Sequence, residues 1–400
     1  MWTIFAWACA TAISLLALKY FPIPYLWIFW ASATALFVTA AIDRSRRALW
    51  YNVACIAVGL AIFEYYLWTS GLQGFAARRV YEGNVEERLN VPHGQLGWAP
   101  RAGTVVNQRL FFEGELLYDA TYTIGPHGLR ISSSSADDHD SSRQCILFFG
   151  DSFTFGQGLE DHQTLPFQVS TKATDPYRTY NFGVMGYGAH QMLSALQHGL
   201  VDDAVQCDRA QVSHVFYQGI TDHVGRSAGR LWWNERGPRY LLTPDGGVSL
   251  EGRFEDDDGY PKDRSLAQVL GTQIIKSMIY RALVEGKYIH KYNQDDIDLY
   301  LAIIEEARRL ARTDFPHAEF HVLLWDEDDI DNKAIRDGLL EKGIHVHLMS
   351  DILPNYEADA LNAAYRIHER DAHPSALANE LIAQYLVSRV LPQPESAAVK

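Results

Sequence analysis

Three apolar runs fill the first seventy residues: 2–18 (WTIFAWACATAISLLAL), 25–42 (YLWIFWASATALFVTAAI) and 48–68 (ALWYNVACIAVGLAIFEYYLW). A helix of about 20 residues crosses the hydrocarbon core of a bilayer, so the second and third runs have spanning length and the first is marginal. All three are apolar on every side rather than along one stripe, and Trp and Tyr crowd their ends, which is the composition of membrane helices. No basic stretch precedes the first run, as a cleaved signal peptide would require. Residues 1–70 are therefore expected to form a transmembrane region of three helices.

The loops orient it. Arg44, Arg46 and Arg47 lie between the second and third runs, whereas the first turn, KYFPIP, holds only Lys19. Basic turns stay cytoplasmic, which puts the amino terminus inside and everything after residue 70 outside. Arg78 and Arg79, just beyond the third run, pull the other way.

With 48% hydrophobic residues, 400 residues suffice for a large core and suggest two or three units. A formal charge of −14 argues against nucleic acid or an anionic lipid surface as the main partner, since both require clustered cations. The four cysteines, Cys9, Cys55, Cys145 and Cys207, show no CxxC or metal-type spacing, which excludes a disulfide framework and a cysteine-based zinc site.

Residues 71–142 contain alternating pieces such as LLYDATYTI and end in the serine-rich acidic tract SSSSADDHDSS, the pattern of a small β-rich lead-in followed by an exposed linker. From 143 to 394 the rhythm changes. Strand-like QCILFF, YRTYNFGV, SHVFYQG, EFHVLLW and IHVHLM alternate with helix-like stretches around 163–172, 189–200, 265–286, 295–312, 331–342 and 375–390, which predicts a parallel sheet between layers of helices. An aromatic and turn-rich insertion at about 224–264 interrupts that rhythm.

Within this second part, the run Cys145–Phe149 has the continuous apolar character of a strand buried on both faces, and it stops at Gly150-Asp151-Ser152. Open α/β sheets place their ligands at the carboxyl ends of strands, so a reactive serine would fit there, although a turn and helix cap would use the same residues. A serine hydroxyl becomes a nucleophile only when a base takes its proton, and that base needs an orienting acceptor. His373 in DAHP is the best candidate base, with Asp371 two residues away and Pro374 expected to start the last helix, which would leave His373 on the loop entering it.

The opening FFGDSFTFGQG, the glycine-bearing NFGVMGYG at 181–188 and the terminal DAHPSALA together resemble the first, second and last sequence blocks of the SGNH (GDSL-type) hydrolase superfamily. The resemblance implies an α/β, flavodoxin-like three-layer sandwich, a metal-free and cofactor-free Ser/His/Asp mechanism, and action on acyl esters. It assigns Ser152 as nucleophile, His373 as base and Asp371 as its orienter, with the backbone N–H groups of Ser152 and Gly186 binding the oxyanion. Two departures stand out. The family commonly places the acid three residues before the histidine, which here is Arg370; the shorter D-x-H spacing is that of relatives from polysaccharide acetylation. The third block, normally G-x-N-D, reads QGITDHVGR, so either Thr221 or Asp222 takes the place of the oxyanion-donating Asn. An ionised Asp cannot donate a hydrogen bond and a Thr hydroxyl can.

His223 and Arg226 follow directly and are either substrate-binding or the start of a solvated helix. Trp232 and Trp233 suit sugar rings or domain packing equally. His345 and His347 alternate on one strand face, but no carboxylate partner is evident, so no metal is assigned. The resulting expectation is a membrane-anchored esterase or O-acyltransferase in the bacterial inner membrane. Its catalytic part would face the periplasm or exterior and act on an acylated or acyl-accepting glycan, with an acyl-donor membrane protein as a further partner. The rivals are a lipid or thioester hydrolase and a catalytically weak carbohydrate-binding or assembly subunit.

Overall fold

The structure, a computed structural model, describes residues 7–10, 12, 24–69, 79–133, 143–173, 177–257, 291–356 and 364–391, with backbone alone at 24–29, 67–69 and 232. The chain divides into two units, Met1–Arg78 with Pro261–Lys291, and Arg79–Tyr260 with Tyr292–Lys400.

In the first unit, helices Pro24–Ile42 and Arg47–Thr69 are joined by a turn in which the Asp43 carboxylate accepts hydrogen bonds from the Ser45 amide at 3.1 Å and the Trp50 indole at 3.1 Å. Most of their buried residues are small, among them Ala31, Ala35, Ala54 and Ala61, with Leu36 and Glu64 also buried, whereas Ile56, Ile62, Tyr65 and Tyr66 are exposed. Among the described residues one helix, Arg47–Tyr66, is long and apolar enough to cross a membrane, and a shorter apolar helix covers Trp30–Ile42. Most of the first expected span lies outside the described residues, as does the helix expected at 265–286.

The second unit opens with β1 (Arg79–Gly83), a hairpin of β2 (Asn90–His93) and β3 (Gly97–Pro100), then β4 (Val105–Phe112) and β5 (Glu115–Thr123). Strands β1, β4 and β5 form an antiparallel sheet. The chain continues with β6 (Cys145–Gly150), β7 (Arg178–Gly183), β8 (Val212–Gly219), a hairpin of β9 (Pro238–Leu242) and β10 (Val248–Arg253), β11 (Glu319–Leu324), β12 (His345–Leu348), and a last hairpin of β13 (Arg366–His368) and β14 (Asp371–Pro374).

Five of these strands make one parallel sheet in the order β12-β11-β8-β6-β7. Counted along the chain from β6, that is the 2-1-3-4-5 order of flavodoxin-like folds, with its switch point between β6 and β8. Alternate residues of β6 feed two cores. Ile146 and Phe148 pack with Leu165, Val169 and Ile382 from helices Leu165–Lys172 and Ala376–Tyr385, while Leu147 and Phe149 pack with Met192, Leu193, Ile303 and Ile304 from helices Ala189–Gln197 and Gln294–Asp314. The expected insertion contains the helix Asp222–Ser227, a short turn of helix at Trp232–Asn234 and the β9–β10 hairpin, whose Tyr240 is buried in the second of these cores.

Two features were not anticipated. Cys145 and Cys207 form a disulfide, Cα atoms 6.6 Å apart, which corrects the exclusion drawn from spacing. It ties the start of β6 to the loop before β8, closing 62 residues, a constraint worth about 4 kcal/mol in the chain-entropy account. Second, the lead-in is welded to the α/β layers. Phe155, just after the turn at Ser152, completes the lead-in core of Leu110, Tyr122 and Ile124. The fully buried Arg130 donates to the carbonyls of Phe155 (2.8 Å), Gly156 (2.7 Å) and Leu159 (2.6 Å) and to Asp161 Oδ1 (2.8 Å). Its guanidinium also lies 4.5 Å from the Tyr122 ring centroid and 4.9 Å from that of Phe155.

Replacing Arg130 by Met removes the side-chain donor from the Phe155 and Leu159 carbonyls, leaves the Gly156 carbonyl with the Leu159 amide alone, and takes the paired cation from the partly buried Asp161. A loss of about 3–5 kcal/mol is expected, by comparison with breaking one side of a buried pair, seen as a fall in Tm on the order of 10 °C. An unchanged Tm would show that the weld is incidental.

Candidate active site

The site begins where β6 ends. Gly150 has φ +154°, and a Cβ there would collide with the Thr154 hydroxyl, so the strand can turn sharply only because this residue has no side chain. Asp151 caps the short helix Ser152–Phe155 by accepting from the Phe153 amide at 2.9 Å, and Gly156 closes it in the left-handed region at φ +82°. Ser152 thus stands at the carboxyl end of β6, beside the switch point of the sheet.

His373 reaches it from β14. The Ser152 hydroxyl donates to His373 Nε2 at 2.9 Å, and His373 Nδ1–H donates to Asp371 Oδ1 at 2.5 Å. The same carboxylate oxygen accepts from the backbone amide of His373 at 2.9 Å. Burial pushes the Asp371 carboxyl up, but the hydrogen bonds and charge of His373, with Arg79 nearby, outweigh it and hold the carboxyl below its ordinary range. An ionised Asp371 fixes the imidazole tautomer that leaves Nε2 free to take the serine proton. The expected loop at His373 is instead a strand: β14 pairs antiparallel with β13, Arg366 opposite Pro374 and His368 opposite Asp371. The last helix starts after Ser375, whose hydroxyl caps it by accepting from the Ala378 amide at 3.2 Å.

The remaining expected site residues divide. Gly186 has φ +84°, and a Cβ there would touch Trp98 at 3.3 Å and the Trp233 indole nitrogen at 3.5 Å. Trp233 is half exposed and Trp232 shares its turn of helix. The Thr221 hydroxyl accepts from Asn332 Nδ2 at 2.5 Å and still has a proton to donate. Asp222 is exposed and accepts from the Tyr292 hydroxyl at 3.2 Å.

His223 and Arg226, expected as substrate contacts or the start of a solvated helix, instead turn inward and support the turn at Ser152. Arg226 Nη1 donates to Asp151 Oδ2 at 2.7 Å and to the Tyr187 carbonyl at 2.7 Å. His223 is fully buried, its Nε2 lies 3.2 Å from the same carboxylate oxygen, and its Nδ1 is 2.5 Å from the Tyr217 hydroxyl. Burial holds His223 below its ordinary pKa despite the neighbouring Asp151. Burial alone would raise Asp151, but His223 and Arg226 bring it well below the carboxylate range. Arg226 therefore balances the buried charge.

Sequence reasoning missed the walls of the site. The ring of Phe153 lies 5.4 Å from that of His373 and 5.4 Å from that of Trp325. Trp98, from the lead-in hairpin, packs edge-on against Tyr187 at 5.4 Å, and the Tyr187 hydroxyl donates to the Trp98 carbonyl. Trp325 directly follows a strand at its carboxyl end, a position that marks it in retrospect; Trp98 carried no such mark.

No protein-family model matches the chain, and no curated protein does. Solved structures similar to it include an acetyl xylan esterase from the rumen bacterium Butyrivibrio proteoclasticus (13% identity, 61% of this chain and 62% of that one, TM-score 0.34). Others are a carbohydrate esterase family 2 enzyme with a carbohydrate-binding domain from Corynascus thermopiles (13%, 70% and 74%, 0.32) and a phospholipase A1 from Streptomyces albidoflavus (11%, 60% and 98%, 0.30). Identities this low and TM-scores below 0.5 leave the function to the geometry of the site.

Ser152→Ala or His373→Ala should abolish labelling of the full-length chain by a fluorophosphonate while leaving its Tm within a few degrees. Asp371→Asn keeps the shape but favours the wrong tautomer, so labelling should slow by about 10³–10⁴-fold. Labelling that persists in Ser152→Ala would place the reactive serine elsewhere.

Proposed function

We propose that this chain is a membrane-anchored serine esterase or O-acyltransferase acting on acyl esters of a glycan outside the cytoplasm. The observation that carries the chemistry is the in-line Ser152–His373–Asp371 hydrogen-bonded set at the carboxyl end of a central strand. His373 takes the Ser152 proton as Oγ attacks an acyl carbonyl, and the backbone N–H groups of Ser152 and Gly186, with the Thr221 hydroxyl, stabilise the oxyanion. His373 then protonates the leaving alcohol. The acyl-enzyme passes its acyl group to water or to a sugar hydroxyl by the same steps in reverse. A pure binding module has no use for such an alignment.

The setting is argued from three further observations. Small residues between the two amino-terminal helices and large apolar ones on their outside suit a lipid surround. The Arg44, Arg46 and Arg47 turn favours the cytoplasm, and Arg79, which argued against that orientation, is engaged by donating to the Arg370 carbonyl at 2.8 Å. The disulfide suits an oxidising compartment. Trp98 and Trp233 beside Gly186 offer aromatic faces to a sugar ring. An apolar cavity of about 490 Å³ lies between the β2–β3 hairpin and the sheet and reaches Gly150 and Tyr187.

Two measurements test this reading. A periplasm-dependent reporter fused after residue 90 should be active and one fused at residue 45 silent; the reverse result would put the site in the cytoplasm and end the glycan proposal. Thr221→Val should reduce p-nitrophenyl acetate turnover by about 10²-fold, the scale for one oxyanion donor, whereas Asp222→Asn should change it little. The opposite ranking would give Asp222 the oxyanion position.

A further inference from the structure

A second cluster of titratable side chains lies at the other end of the parallel sheet from Ser152, where β8, β11 and β12 begin. Glu319 and His321, two residues apart on β11, share one face of the sheet. In register, Glu319 pairs with His214 of β8 and His321 with His345 of β12. One ligand atom from each of His214, Glu319 and His321 falls within 4.8 Å of the others. His321 Nε2 is 3.6 Å from Glu319 Oε2, and His345 Nδ1 is 4.0 Å from that same oxygen. These are carboxylate and imidazole groups from three strands; the two separations from Glu319 approach the about 3.3 Å that a tetrahedral zinc ion imposes on its ligands, and His214 lies within 4.8 Å of Glu319 and His321.

Hydrogen bonds behind the imidazoles select the tautomers. His321 is 2% exposed, and its Nε2 is buried without a hydrogen-bond partner. Its Nδ1 is 3.0 Å from His347 Nε2, and His347 Nδ1 is 3.0 Å from the Tyr385 hydroxyl. Donation from His321 Nδ1–H to His347, and from His347 Nδ1–H to Tyr385, leaves the His321 Nε2 lone pair aimed into the cluster. His214 is oriented in the same way: its Nδ1 is 3.0 Å from Ser213 Oγ, whose own proton faces the Cys145 carbonyl at 3.4 Å. Histidines that ligate metals are held by such outer hydrogen bonds. Glu319 and His345 are exposed and leave an entry path.

We propose that His214, Glu319, His321 and His345 bind a divalent transition-metal ion, Zn²⁺ first, as a structural clasp across β8, β11 and β12. Its role is separate from the chemistry at Ser152, so the site neither supplies nor requires a metal for acyl transfer.

The test uses the full-length chain in detergent, stripped with chelator and titrated with Co²⁺, whose tetrahedral complexes absorb in the visible. Stoichiometric binding with that spectrum, displaced by Zn²⁺, is expected, together with a Zn²⁺-dependent rise in Tm. Glu319→Gln and His345→Ala change exposed residues that the fold does not need. Each should weaken Co²⁺ binding at least tenfold and remove the Tm response, while p-nitrophenyl acetate turnover stays unchanged. Absence of a tetrahedral Co²⁺ spectrum in the unaltered chain, or the same spectrum and affinity in both variants, would overturn the proposal.

Discussion

The architecture depends on satisfying the backbone of a sharp turn at the end of a fully buried strand. β6 has no solvent on either face, so the polar groups that follow Gly150 must find partners inside the protein. Two buried cations provide for them. Arg226 neutralises Asp151, the carboxylate that caps the Ser152 helix, and Arg130 gathers the three carbonyls beyond it. Each comes from a different part of the chain, Arg226 from the segment after β8 and Arg130 from the lead-in. Ser152 is therefore held by long-range contacts, and local sequence alone does not fix its geometry.

That dependence explains what was legible and what was not. The strand Cys145–Gly150, the turn at Ser152 and the partnership with His373 could be read because strand burial and nucleophile chemistry both leave local signatures. The α/β alternation showed itself for the same reason. Arg130 sits in an unremarkable GPHGLRI stretch, and nothing near it in sequence reports that its bonds to the Ser152 turn and Asp161 reach 25 to 31 residues away in the chain. Cys145 and Cys207 looked unrelated because their pairing follows from the adjacency of β6 and β8, which is a property of sheet order. His223 and Arg226 looked like site residues for a sound reason, since they follow a strand's carboxyl end, but burial turns them toward Asp151. The carboxylate that completes the histidine cluster, Glu319, lies on a neighbouring strand of the sheet, out of reach of any reading of the His345–His347 run alone.

The lead-in has more than a connecting role. Its strand β1 brings Arg79 beside Asp371, its hairpin brings Trp98 against Gly186, and its core accepts Phe155 from the nucleophile helix. A boundary drawn at residue 142 on composition separates residues that share one core. The segment after the apolar runs thus supplies part of the site it leads to.

The unusual D-x-H spacing has a geometric cause in the same construction. Side chains alternate across a strand, so residues two apart emerge on one face. In β14, Asp371 is buried, Ala372 exposed and His373 half-buried, so the carboxylate and the imidazole sit side by side and a single oxygen can meet both Nδ1 and the His373 amide. A spacing of three would place the acid on the opposite face of an extended chain and would need a turn to bring it back. Here the position three before His373 is Arg370, whose guanidinium stacks 4.8 Å over the Phe112 ring, away from the triad. The pairing of β14 with β13 is therefore what makes the shorter spacing work: it keeps residues 371–374 extended, and an extended backbone is the one in which Asp371 can orient His373.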